Sequence, residues 1–291
     1  MNSENIRSNR KKYIKPALVL LIVIALLLFC SYQNRHLETT YYTYKAEQFG
    51  ADLEGYRIVQ ISDLHNAKFG KHNQKLVDRV RECEPDMIVL TGDLVDSNHT
   101  NVDRAVQFVD EIVKICPVYY VTGNHEYWLE KSEYDELMDG LASAGAVILD
   151  DQVVEISRGD AKFRLVGLDD KNLADGTLGT LLNNDQNVAH EDSEKKEFTV
   201  VLAHEPQYLA RYAGIGVDLV LSGHAHGGQF RLPFVGGIVA PDQGFLPEYT
   251  AGEYYMDGTE MIVSRGLGNS VIPVRLFNYP EIVCVELVGK H

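Results

Sequence analysis

Five short apolar runs, each breaking off at a small residue and then presenting Asp, Asn or His, restrict what this chain can fold into. They cover 57–62, 87–90, 117–121, 198–202 and 217–221. Their ends read Asp63-Leu-His65, Gly92-Asp93, Gly123-Asn-His-Glu126, Ala203-His204 and Gly223-His-Ala-His226. Apolar, β-branched runs bounded by Gly and Pro predict buried strands. A carboxylate just past such a strand sits where open α/β sheets place their ligands. Between the runs, apolar residues at helical spacing predict helices over 73–83, 102–115 and 133–144, the first stopped by Glu84-Pro85.

Short strands are predicted at 147–149, 153–156 and 163–167, and 169–196 reads as a polar loop with one helical piece. From 229 onward, Gly, Pro and alternating apolar residues predict hairpins, closed by a strand over 281–287. Strands alternating with helices, followed by hairpins, specify a mixed α/β domain with both sheet faces covered. No fixed-period repeat, low-complexity tract or linker interrupts it, so 48–291 reads as one domain.

The N-terminus stands apart. Arg7, Arg10, Lys11, Lys12 and Lys15 precede an apolar run over 17–32. As a helix the run spans ~24 Å, short of a ~30 Å hydrocarbon core. No A-x-A cleavage site follows it, and Phe29 before Cys30 does not suit a lipoprotein site. Lysine also replaces the second arginine of a twin-arginine signal. The expected arrangement is a basic cytoplasmic segment (1–16), an uncleaved signal anchor (17–32), and a stalk or first edge strand (33–47). The folded domain would then lie outside the cytoplasm as a single-pass membrane protein, with export after signal cleavage as the alternative.

The net charge of −15, from 42 acidic and 27 basic residues in 291, argues against an extended nucleic-acid surface, which needs clustered Lys and Arg. An anionic substrate stays compatible, since bound divalent cations invert the local potential. Cys30, Cys83, Cys116 and Cys284 form no C-x-x-C pair and read as buried free thiols.

Five of the ten histidines fall in the strand-end turns; His36, His72, His99, His190 and His291 have no motif around them and are assigned to surface or loop. The order D-x-H, G-D, G-N-H-[DE], a lone His and G-H-x-H resembles the calcineurin-like metallophosphoesterases over 56–228, with every ligand position filled. The basic N-terminus, the apolar anchor and the tail Ser264-Arg-Gly-Leu-Gly268 and Asn278-Tyr-Pro-Glu281 resemble the membrane-associated bacterial branch of that family.

That resemblance implies a four-layer α-β-β-α sandwich of two mixed sheets flanked by helices. It implies a first metal ion on Asp63, His65, Asp93 and His226, and a second on Asp93, Asn124, His204 and His224. Imidazole, carboxylate and amide donors suit Mn²⁺, Fe²⁺ or Zn²⁺ better than Mg²⁺ or Ca²⁺. The implied activity is phosphodiester or pyrophosphate hydrolysis by in-line attack of a metal-bridging hydroxide, on a lipid-linked, nucleotide or cell-wall phosphoester. His125 is implied to stabilise or protonate the leaving-group oxygen. A phosphomonoesterase and a metal-binding scaffold without turnover are the alternatives. Asp63 and Glu126 are expected to orient imidazoles, and Lys68 and Lys71 are candidates for phosphate contact. Tyr127 and Trp128 read as an apolar wall or as core, and Arg265 and Arg275 as leaving-group or carboxylate partners.

Overall fold

Alternation along the strands divides their side chains between two destinations, and that division builds the molecule. The computed structural model describes residues 3–46, 49, 52–173, 176–184 and 197–289. The chain runs α1 (Ser3–Gln33), β1 (Glu38–Ala46), β2 (Tyr56–Ile61), α2 (Gln74–Glu82), β3 (Met87–Thr91), α3 (Val102–Ile112) and β4 (Val118–Val121). It continues through α4 (Asn124–Tyr127), α5 (Lys131–Ala144), β5 (Val147–Ile148), β6 (Gln152–Arg158), β7 (Ala161–Gly167), α6 (Thr177–Asn184), β8 (Thr199–Leu202), α7 (Leu209–Ile215) and β9 (Leu219–Ser222). Two small hairpins follow, β10 (Arg231–Leu232) with β11 (Gly236–Gly237), and β12 (Val239–Ala240) with β13 (Gly244–Phe245). β14 (Gly252–Met256), β15 (Thr259–Val263) and β16 (Glu281–Gly289) complete it.

Two six-stranded sheets result, ordered β1-β16-β2-β3-β4-β5 and β14-β15-β9-β8-β7-β6. β2 to β5 run parallel in the first, and β7, β8, β9 and β15 in the second; β16 is antiparallel to β2, and β6 and β14 are antiparallel edges. Ile58, Val89, Val121 and Val285 face Leu165, Val200, Leu221 and Ile262 between the sheets. Their neighbours Val59, Ile88, Leu90 and Tyr120 turn to α2, α3 and α5, while Val166, Val201, Val220 and Met261 turn to α6 and α7. Strands buried on both faces read as continuous apolar runs for this reason. Each such side chain contributes roughly 1.5–3 kcal/mol. The expected two mixed sheets flanked by helices are present.

The parallel strands of both sheets point their C-terminal ends at one edge of the sandwich, and Gln60 ties the sheets together there. Its Nε2 donates to Thr91 Oγ1 within its own sheet and to Ser222 O in the other, both at 2.9 Å.

Several boundaries differ from expectation. Of the two readings of 33–47, the edge strand holds over 38–46: β1 lies parallel to β16 across its whole length. α3 stops at Ile112, short of 115, because the chain needs 113–117 to turn into β4. α1 is longer than the apolar run and includes Pro16. Within it Lys15–Gln33 is long and apolar enough to cross a membrane, with 6% buried inside the protein; its 19 residues span ~28 Å. All four cysteines are unbridged, Cys83 and Cys284 buried and Cys30 and Cys116 partly so. The second half of the predicted 169–196 loop, His190 and His291 lie outside the described residues.

One half-buried carboxyl is expected to make stability depend on pH. Glu260 of β15 pairs with Tyr255 of β14, and its Oε1 has no hydrogen-bond partner. Burial, then Glu253, pushes its pKa from 4.5 up to about 7. The folded state therefore binds more protons than the unfolded one in that window, so stability is lost as pH rises through it. Glu260→Gln should flatten the loss by roughly 1–3 kcal/mol between about pH 5 and about pH 8 in urea unfolding. An unchanged pH slope in the variant would show that other groups set it.

Candidate metal centre

Glycines at the strand ends let the turns approach one another. A Cβ at Gly92 would lie 2.6 Å from His204 Nδ1, and one at Gly223 2.5 Å from Asp63 Oδ2. The side chains that gather there stand on strained backbone. Asp63, His65, Asp93, His224 and His226 all have φ between 44° and 64°, a region that costs a non-glycine residue about 1 kcal/mol or more. Such outliers persist where the surroundings over-determine them, and they concentrate at functional sites.

Every metal-type residue singled out in the sequence arrives at this edge. Asp63, His65 and His226 form one group, and Asp93, His204 and His224 another, each able to hold a cation. Asn124 joins the second, with Oδ1 3.0 Å from His224 Nδ1 and 3.2 Å from His204 Nε2. Asp93 Oδ2 lies between the groups, 3.5 Å from His65 Nε2 and 3.3 Å from His204 Nε2.

Protons can be followed through the second group. His204 Nδ1 lies 2.7 Å from the Thr91 carbonyl, which can only accept, so Nδ1 carries a proton and, in the neutral ring that a metal would bind, Nε2 carries the lone pair. His224 Nε2 lies 2.9 Å from Asp242 Oδ2, which leaves a lone pair on Nδ1. These two nitrogens are 3.2 Å apart and share Asn124 Oδ1 as a neighbour, and Asp93 Oδ2 lies 3.3 Å from His204 Nε2. With the His204 ring neutral, these electron-pair donors repel unless a cation occupies the middle. Without a metal, burial is outweighed by Asp93, which raises His204 well above the ordinary imidazole range, so a proton on Nε2 takes that place. Donors at ~2.1 Å from a tetrahedral ion are ~3.4 Å apart, close to the spacings here. The residues fit a metal ion. In the first group His65 Nε2 and His226 Nε2 are 3.1 Å apart, a spacing that suits a shared proton as well as a cation, and the donor set of carboxylates and imidazoles matches the second.

Electrostatics follow from burial. Burial alone would raise Asp93, but the imidazoles of His204 and His65 hold it well below the carboxylate range. Burial lowers His65 to about 3 and, with Arg275, lowers His226. Glu126 is pushed up to about 8 by burial and by Asp93.

Glu126 does not orient an imidazole. Its carboxylate accepts from the backbone N–H groups of Asp93 and Leu94 at 2.9 Å and of Gly123 at 2.7 Å. It clamps the Gly92-Asp93 turn to the Gly123-Asn124 turn. Asp63 likewise takes a backbone N–H, from His224 at 2.9 Å, and stands 3.7 Å from His226 Nε2.

His125 lies beside both groups, its backbone N–H donating to Asp93 Oδ1 at 2.9 Å. The Ser97 N–H donates to its Nδ1 at 3.2 Å, so the ring proton is on Nε2, which is 3.0 Å from Ser270 Oγ. Trp128 is exposed rather than in the core, with its ring 4.6 Å from that of His125. Arg265 pairs with Glu281 and Glu38. Arg275 is wholly buried, donates to Arg265 O, and lies 3.4 Å from His226 Nδ1. Lys68 and Lys71 line a neighbouring pocket with Arg104 rather than the centre itself.

Ser97, Asp170, Asp242 and Ser270 are additions from the structure. Asp96 and Ser97 follow Asp93 in the same turn, a signal the sequence carried. Asp242, Ser270 and Asp170 reach the centre from loops without a motif. Asp170 is raised to about 7 by burial, within the field of His204. Removing the Asp242 acceptor should free the His224 tautomer, so Asp242→Ala is expected to weaken metal binding at the second group by roughly 10–100-fold. Metal titration of variant and parent checks this; unchanged affinity in the variant would deny Asp242 that role.

Residues 56–228 match the family model for calcineurin-like phosphoesterases. An uncharacterized metallophosphoesterase of Aquifex aeolicus is 34% identical over 268 residues, 88% of this chain and 95% of the relative. The uncharacterized metallophosphoesterase YkuE of Bacillus subtilis is 30% identical over 278 residues, 90% of each chain. The phosphodiesterase YaeI of Escherichia coli is 29% identical over 237 residues, 80% of this chain and 82% of that one.

Proposed function

The chain belongs to the calcineurin-like phosphoesterase family and is a metal-dependent phosphoester hydrolase, and from that premise we propose a membrane-tethered phosphodiesterase or pyrophosphatase that works with two metal ions. The observation that carries the two-metal reading is Asp93 Oδ2, within 3.5 Å of one imidazole from each group. Asp63, His65, Asp93 and His226 would hold one ion, and Asp93, Asn124, His204 and His224 the other. When bound, two such ions supply Lewis acidity at the phosphoryl oxygens and acidify a water for attack. Mn²⁺, Fe²⁺ and Zn²⁺ are the ions this donor set prefers.

The chain's own residues do the rest. Glu126 holds the Asp93 and Gly123 turns at a set separation, so the carboxylate shared by both groups needs no reorganisation. His125 carries its proton on Nε2, fixed there by the Ser97 N–H, and would share it with a departing alkoxide or give it up, the ring then regaining a proton from solvent. A proton donor matters most where the leaving group is a poor one, as in an alkyl diester. The name of the relative YaeI, a phosphodiesterase, points the same way. Residues 17–32 would anchor the chain with 1–16 in the cytoplasm and 48–291 outside, acting on a lipid-linked, nucleotide or cell-wall phosphoester.

The test is metal analysis of the purified full chain beside turnover of bis-(p-nitrophenyl) phosphate and of the monoester. About two metals per chain with diester cleavage is the expected result. Monoester cleavage alone would make it a phosphatase. Two metals with neither ester cleaved, even after Mn²⁺ supplementation, would leave a very selective enzyme or the scaffold, and one metal or none would end the shared-carboxylate reading.

A further inference from the structure

The end of α1 is seated on the rim of the metal centre. Phe29 meets Phe277 edge-on at 5.8 Å, and Tyr32 meets Tyr279 at 5.9 Å. Asn34 Oδ1 accepts from Asn269 Nδ2 at 2.7 Å and from the Arg275 N–H at 3.3 Å. Only residues 34–37 separate α1 from β1, so no flexible stalk lets the domain turn away. Whatever surface lies beside this helix end stays beside it.

That surface is apolar and open. Phe234 and Val235 at the β10–β11 turn, Phe245 and Leu246 after the β12–β13 turn, and Val271 and Phe277 on the 269–279 loop are all exposed. Backbone bonds hold the three pieces together: Arg231 N–H to Leu276 O at 3.0 Å, Ile238 N–H to Phe230 O at 2.9 Å, and Leu246 N–H to Ile238 O at 2.9 Å. Soluble proteins seldom leave so many large apolar side chains in water on adjoining turns. The same 269–279 loop carries Ser270, in contact with His125.

We propose that the 232–246 turns and the 269–279 loop dip into the leaflet from which α1 emerges, a lipid surface being their partner. The inference rests on the membrane-anchored reading above. The occupant is argued from continuity: the apolar face of α1 passes directly, through Phe29 and Phe277, into the apolar face of the loops. In this position the mouth beside His125 and Ser270 stands at headgroup level, where amphipathic surfaces settle.

Trp128 is the chain's single tryptophan, which makes depth measurable. In a Trp128→Phe background, Phe234→Trp, Phe245→Trp and Tyr255→Trp each give one emitter. Tyr255, exposed near the far end of β14 from the metal centre, is the reference. The full-length variants are reconstituted into phosphatidylcholine–phosphatidylglycerol vesicles, with circular dichroism matched to the parent. Lipids brominated near the glycerol end of the acyl chain should quench 234 and 245 and leave 255 bright. Emission at both 234 and 245 no more quenched than at 255 overturns the proposal and assigns the surface to a protein partner. Quenching reads depth and not turnover, so this result and the hydrolysis assays can fail separately.

Discussion

Replacing Asp93 with Asn is expected to take the protein from about two bound metal ions to one or none and to lower diester turnover by roughly 10³-fold or more. No other described side chain has an atom close to imidazoles of both groups, 3.5 Å from His65 and 3.3 Å from His204. The amide keeps the shape and loses the charge. It also turns a pair of N–H donors toward nitrogens that need a cation. The fold should not suffer, because Glu126 grips the backbone N–H of residue 93 and not its side chain. The metal-free variant should therefore unfold no more easily than the metal-free parent. Elemental analysis, turnover and thermal unfolding, measured together, decide the matter. Full metal content with full activity in the variant would remove Asp93 from the centre of the mechanism.

Replacing His125 with Asn should separate chemistry from metal binding. His125 stands 4.5 Å, ring to ring, from His65 and bonds Asp93 only through its backbone. Bound metal should therefore stay near the parent value. Loss of a positioned proton donor costs typically 10²–10⁴-fold, and the cost should depend on the leaving group. Alkyl diesters, whose alkoxide needs the proton, should show the full loss, whereas p-nitrophenolate leaves readily and should show much less. A series of aryl and alkyl diesters measures this directly as a steeper dependence of rate on leaving-group pKa. An equal loss across the series would give His125 a structural role in place of proton donation.

Much of this protein was legible because strands and their ends are local features. Apolar runs ending in a small residue and then Asp, Asn or His located β2, β3, β4, β8 and β9 and the turns behind them. Boundaries were less secure where tertiary context competes with local pattern: β1 is polar and Tyr/Thr-rich, and only its pairing with β16 makes it a strand. Glu126 shows the same limit within the centre. Its place next to Asn124 and His125 suggested an imidazole partner, yet three backbone N–H groups from two turns reach it first. Trp128, expected as wall or core, lies exposed against His125 because α4 is too short to carry it inward.

Local pattern alone determined which residue types meet, since each apolar run stops at a small residue and then presents Asp, Asn or His, and Gly92, Gly123 and Gly223 leave room for the turns to close up. The tertiary structure decided which atoms face each other. It set the tautomers of His204, His224 and His125 through a carbonyl, a carboxylate and an N–H contributed by distant segments. It brought Asp242 and Ser270 to the centre from loops with no motif, and it seated α1 against the rim. Those contacts join residues up to 241 positions apart, and no local pattern encodes a partner at that range.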